Sequence, residues 1–299
     1  MSDRQRGVVL VTVLWLIALL SALAIAASIT FRGFASVVAL DRNRVQAEAL
    51  LTGGIEAAVH TIDSLGDAPL DELETTMTLA TGSVRTHLSD EGGRIDIGKA
   101  PVEVLAALFR SVGASVRDAD AIALAIVSLR NPTDAAGGAT DRPQVAAAPP
   151  GAPGVPVKKA NAELAFTDIR QLALIPGMAP EWVTAIEPMV TVYGNETVNP
   201  LSAPAQVLAA LPGVDPSRVQ AFVQMRDNFP ADVSQFASIL GTDKKYLALK
   251  KPSAVSVHLT ATLLNGFAQA ARAIIVPMPE SAQPYRILVW DLLSSQSAE

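Results

Sequence analysis

The sequence predicts an α+β fold: a long N-terminal helix packed on an antiparallel sheet, with a large all-α domain inserted between the two halves of that sheet. Three observations predict it. An uncharged stretch, Val8 to Phe31, runs without proline or linker into a further apolar segment of helical period. Short alternating segments near 74–97, and again from Ser253 onward, read as strands. Between these two groups the pattern is helical, so the helices interrupt the sheet in sequence.

The helix comes first. About 20 apolar residues cross a bilayer core of roughly 30 Å, and Val8–Phe31 is long enough. Its polar members, Thr12, Ser21, Ser28 and Thr30, are small enough to bond their own backbone. Arg4 and Arg6 hold the short N-terminal end in the cytoplasm, so the rest of the chain faces outward. Beyond the uncharged stretch, Phe34, Val38, Val45, Ile55, Val59 and Ile62 share one helical face. A helix from Val8 to about Asp63 would be roughly 80 Å long. Gly53-Gly54 is where it would bend, and Ser64-Leu65-Gly66-Asp67 ends it.

Such a beginning has three possible fates. A secretory signal would be cut after Ala24-Ile25-Ala26, and a plain anchor would not be cut at all. A prepilin-type leader would be cut after Gly7, leaving Val8 as the new N-terminus. The basic residues, the terminal glycine and the unbroken helix beyond Ala26 resemble the third class, in which a stem lies half in the membrane and half on a globular head.

The sheet is expected from 74–80 and 83–89, turning at Thr81-Gly82, with Val84, Thr86 and Leu88 alternating against Arg85 and His87. Arg94–Ile97 is a further extended piece. Val255–Leu259, Ala273–Val276 and Arg286–Trp290 supply the closing strands. Helices are expected at about 101–112, 118–130, 167–175, 180–188, 204–211, 216–227 and 232–240. Residues 131–160 hold 18 Pro, Gly or Ala and no aromatic residue, so they form a loop without a core. The expected organisation is therefore a leader at 1–7, a transmembrane and stem helix at 8–65, a head made of 66–98 and 251–299, and a helical insert at 99–250. Within the insert, Ala100–Leu108 and Ala203–Leu211 echo one another. Each has a proline at a helix start and reads as a packing unit.

Composition excludes several functions. With no cysteine, disulfide and thiolate chemistry is absent. A net charge of −6 argues against nucleic acid, whose phosphates call for cationic contacts. Gly93–Lys99 has the spacing of a phosphate-binding loop, but Ala100 replaces the Mg²⁺-binding hydroxyl and Pro101 removes a donor. Leu211-Pro212-Gly213-Val214-Asp215 and Ile175-Pro176-Gly177-Met178 resemble halves of a helix-hairpin-helix. Here Asp215 stands where DNA-binding versions have glycine, and reads as a helix N-cap. The three histidines, His60, His87 and His258, show no zinc spacing, and no Gly-x-Ser-x-Gly elbow occurs. Asn195-Glu196-Thr197 is a chance-level glycosylation pattern. No catalytic residue is expected.

Taken in order, the leader Arg6-Gly7 with Val8–Trp15, Asp90–Ile97, Asn161 before Phe166, Pro176-Gly177-Met178, Glu187-Pro188, Val198-Asn199 before Ala203-Pro204, and the ending Val289-Trp290 resemble one family. It is general secretion pathway protein K, a minor pseudopilin of type II secretion. The resemblance implies a pilin-like fold with a large inserted α-domain, Gly7 and Val8 as the processing site for prepilin peptidase, and a single-pass protein of the bacterial inner membrane with a periplasmic C-terminal domain. It also implies assembly with the I and J minor pseudopilins and the major pseudopilin at the pseudopilus tip, and contact with secreted cargo. Thr12 is the fifth residue counted from Val8, where most pseudopilins carry a glutamate that pairs with a neighbour's N-terminal ammonium. A subunit lacking it can receive a carboxylate from below but cannot offer one above, which suits the tip. The family's α-domain is similar to calcium-binding proteins. In this chain Asp134 and Asp141 are the only carboxylates of 129–141, few for an ion that takes six to eight oxygens, so no cofactor is expected. The alternative is a periplasmic enzyme or binding protein behind a cleaved secretory signal.

Overall fold

The structure is a computed structural model that describes residues 3–66, 68–70, 72–130, 166–228, 231–278, 281 and 283–293. The first helix, α1, runs from Asp3 to Leu65. Strands β1 (Leu73–Leu79), β2 (Gly82–Asp90), β5 (Val255–Leu263), β6 (Ala268–Pro277) and β7 (Tyr285–Leu293) form one antiparallel sheet in the order β1-β2-β5-β6-β7. The α+β expectation holds, with the early hairpin and the three closing strands in a single sheet.

Alternation decides which side of the sheet is dry. On β2, Val84 and Leu88 point to the stem, and their cross-strand partners Ala261 and Val257 on β5 do the same. The lower third of α1 packs there through Ala47, Leu50, Leu51, Ile55 and Ala58, all buried. Each large aliphatic side chain buried at this interface contributes about 1.5–3 kcal/mol. Gly54 sets the approach: a methyl group at this position would sit 2.6 Å from Leu259 Cδ2 and 2.9 Å from Val84 Cγ2. The glycine pair expected as a bend lies within one continuous helix, and Gly54 serves close packing of helix on sheet.

The single apolar face expected along the whole stem splits in two. Ile55 is buried, and Val59 and Ile62 pack on the core, but Phe34, Val38 and Val45 are exposed. The sheet reaches only the lower stem, so none of the described residues covers Phe34, Val38 or Val45. Val13 to Ile25 are likewise exposed all round, Trp15 at 75% and Leu19 at 67%. Among the described residues, no helix is long and apolar enough to cross a membrane.

A second core lies within the insert. Helices α2 (Val102–Ser111), α3 (Val116–Arg130), α4 (Pro180–Ile186), α5 (Ala205–Ala209), α6 (Pro216–Met225) and α7 (Val233–Leu240) surround it. A two-residue parallel pairing joins β3 (Ile95–Asp96) to β4 (Val190–Thr191). Phe109, Phe222 and Phe236 are fully buried, and Phe222 meets Phe236 edge to face at 5.3 Å, worth about 0.5–1.5 kcal/mol beyond area. The segment expected as a helix at 167–175 is instead a 3-10 turn, Ile169–Leu174. Asp168, Asp215, Asp232 and Asp243 each cap the element that follows by accepting from a backbone N–H two residues on. The echoed segments both start at a proline N-cap, and both send Val and Leu into this core (Val104, Leu105 and Leu108; Val207, Leu208 and Leu211).

Candidate functional site: the stem and the joint between the two cores

The residues singled out at the N-terminus, Gly7, Val8 and Thr12, fall within α1, outside the positions whose side chains are described. Asp134, Asp141 and the loop expected at 131–160 lie outside the described residues altogether. Among the described residues no group of three or more His, Asp or Glu side chains could hold a metal ion.

The hairpin-like turn at Gly213 has a different use from the DNA-binding one. It meets the turn that ends α7 at Gly241, and both glycines adopt left-handed backbone (φ +79° and +80°). The turns pack back to back: Asp215 N–H donates to Leu240 O at 3.1 Å, and Thr242 Oγ1 donates to Pro212 O at 2.7 Å. Ser217 N–H donates to Asp215 Oδ1 at 3.0 Å, as the N-cap reading requires. Amides committed to other turns are not presented to a phosphate.

His87 and His258 are cross-strand partners on the sheet face away from the stem, with ring centroids 6.5 Å apart. The row continues through Arg272 on β6 to Asp291 on β7. Loss of solvent, then the positive charges of Arg272, Arg94 and His87, hold His258 down to about 4. Its side chain is exposed, so solvent loss counts for less here than it would in a core, and the cations carry the direction. A cleft of about 300 Å³ opens where this row meets the insert, lined by Arg170, Glu187, Thr191, Tyr193, Arg272 and Asp291. A groove of about 650 Å³ runs beside the foot of the stem, past Glu56, His60, Asp63, Lys251 and Pro277. Nearby, Tyr285 donates to Glu56 Oε1 at 2.7 Å, and that bond pushes the phenol up to about 12.

The most developed polar cluster is one that sequence reasoning did not assign. At the end of β2, buried Asp90 accepts from Gly92 N–H at 2.7 Å, Ser202 Oγ at 2.7 Å and Asn199 Nδ2 at 3.3 Å. Burial pushes its carboxyl up, partly offset by those three donors, while nearby Glu91 adds to the rise. Arg94 pairs with buried Glu91 at 3.2 Å. Six residues on from Asp90, Asp96 is also buried and its carboxyl is pushed up by desolvation. Lys99, at 3.4 Å, pulls the other way, as do the Gly98 N–H and the charge of Arg130. The phosphate-loop spacing of 93–99 is thus a turn closed on its own aspartate. The signal for this cluster was the run Asp90-Glu91-Gly92-Gly93, two adjacent carboxylates before a glycine pair at a strand end.

Comparison with known proteins adds three findings. Residues 86–195 match the family model described as type II secretion system (T2SS), protein K. No curated protein matches the chain. The fold is similar to a chain in the crystal structure of the GspK-GspI-GspJ complex from the enterotoxigenic Escherichia coli type 2 secretion system. The TM-score is 0.57 at 16% identity, covering 85% of this chain and 98% of that one; at that identity the likeness is one of fold.

Proposed function

We propose that this chain, which carries the first domain of type II secretion system protein K, works as a minor pseudopilin: a structural, non-enzymatic subunit of the secretion pseudopilus. The observation that carries the reading is the coincidence of the protein K segment, 86–195, with a fold matched over 85% of the chain. The matched segment begins inside β2 and ends just past β4, so it covers the crossing from sheet to insert.

The stem supplies the assembly chemistry. Val8–Phe31 carries no charge, and the described part of it is exposed all round, as a lipid-facing or helix-facing segment must be. In this reading it anchors the chain in the inner membrane with the head in the periplasm. Prepilin peptidase cuts after Gly7, and methylation of the new terminus follows at Val8. Thr12 leaves the subunit without the carboxylate that would neutralise a subunit above, which suits the tip. The solved relative is a complex with GspI and GspJ, so the partners proposed here are the I and J minor pseudopilins, then the major pseudopilin and exported cargo.

Co-expression of the full chain with the I and J pseudopilins of its own organism, followed by affinity purification in detergent, tests this. Recovery of a stable complex containing all three chains is the expected result. Separation of this chain from both partners would overturn it.

A further inference from the structure

We propose that Asp90, Asn199 and Ser202 form a clasp that fixes the helical insert on the sheet, and that the molecule opens there before either core unfolds. The insert leaves the sheet after Asp90 and returns to it at Val255, which are cross-strand partners. Its two arms, 91–94 and 250–254, therefore run side by side, and Glu91 N–H donates to Ala254 O at 3.1 Å.

Asn199 stitches both arms. Its backbone N–H donates to Gly92 O at 2.8 Å on the outgoing arm. Its Nδ2 reaches Lys250 O on the returning arm and Asp90 Oδ2 on the sheet, both at 3.3 Å. Ser202 Oγ adds the 2.7 Å bond to the same Asp90 oxygen. From the other side, Arg226 Nη1 donates to Ala203 O at 2.8 Å and Pro200 O at 3.3 Å, holding the 199–203 loop in shape. Gly93 permits the contact: a methyl group there would lie 2.6 Å from Ser202 O.

Apolar residues dominate each core, whereas the side chains buried where the two arms cross from sheet to insert are mostly polar. Asp90, Asn199, Ser202 and Arg226 are all buried. Polar contacts are directional and fail together when one acceptor is lost, whereas apolar contacts on either side lose area gradually. Local openings of this kind are cooperative units with free energies below that of global unfolding.

Native-state hydrogen exchange on the full chain in detergent micelles tests the clasp. In Asp90→Asn, an amide donor replaces the acceptor facing Ser202 and Asn199. The amides of Glu91, Asn199 and Ala203 should then exchange at least tenfold faster, with those of Leu105 and Leu259 unchanged. Ser202→Ala deletes a single donor, serves if the first variant does not fold, and should show the same pattern at several-fold. Equal acceleration in both cores, or none at Asn199 and Glu91, would overturn the proposal. Neither outcome depends on whether the chain assembles with other pseudopilins.

Discussion

The stem and sheet bury their residues through long regular elements, strands of seven to ten residues against one continuous helix. The insert buries its residues with helices of 5 to 15 residues, most started by an aspartate cap or a proline, and α3 by Ser115, whose hydroxyl accepts from Asp118 N–H. A helix as short as α5 has too few internal bonds to stand alone, so tertiary packing holds it. The halves should therefore fail differently: the sheet half where the approach of helix and strand is blocked, the helical half where a core ring or a cap is removed.

The largest effect should come from Phe236→Ala. It removes a fully buried ring and its edge-to-face partner contact, at about 3–5 kcal/mol. Urea unfolding followed by exchange at Val219 and Leu240 should show loss of the helical core, with Val257 and Leu259 amides still protected. Uniform loss across both cores would mean that they unfold as one.

Gly54→Val should come next, at about 1–3 kcal/mol from overpacking, since its new carbons meet Leu259 and Val84. Its neighbour gives the control. A methyl at Gly53 would meet only the flexible end of Met77 at 3.4 Å, so Gly53→Ala should be neutral or slightly stabilising in the same melt. If both substitutions cost alike, the close approach at Gly54 does not set that position apart, since helix propensity alone would favour the alanine.

A smaller effect is expected from Asp215→Ala, which strips the cap from α6 and costs about 0.5–2 kcal/mol. Chemical denaturation should register it in the helical half. Asp215→Asn should restore most of the loss, because the amide oxygen still accepts from Ser217 N–H.

The smallest effect concerns pH. His258 is held down to about 4, below its ordinary 6.5, so between those values the unfolded chain binds more protons than the folded one. Stability should rise with pH across that window on account of this residue. Asp90 and Asp96, pushed up by burial, act with the opposite sign: folded carboxyls hold protons to higher pH, so stability falls as pH rises through their folded values. His258→Gln should flatten the rising part, and Asp90→Asn the falling part. NMR titration of the His258 ring with a midpoint near 6.5 would remove the first assignment.

Much of this architecture was legible in the sequence, and the reasons are physical. Period-two alternation at Val84, Thr86 and Leu88, and again at Val255, Val257 and Leu259, marked the strands, because one side of the sheet is dry. Pro101, Pro204 and Asp215 marked helix starts through local backbone chemistry, which needs no tertiary context. Elsewhere local signals failed. Gly54 looked like a bend because its partners, Val84 and Leu259, are distant in sequence. The outer stem face, Phe34 to Val45, looked like core because a helical period cannot say what lies opposite. The Asp90 clasp was hidden for the same reason: its partners, Asn199 and Ser202, lie more than a hundred residues away.

The central claim is that the chain is a pseudopilin whose stem begins at Val8. N-terminal sequencing of the full-length protein extracted from membranes of its own host tests it most directly. The account predicts a mature chain starting at Val8, with a methylated amine. A chain starting near Ala27 would contradict it, since a secretory signal would have removed most of the apolar stem.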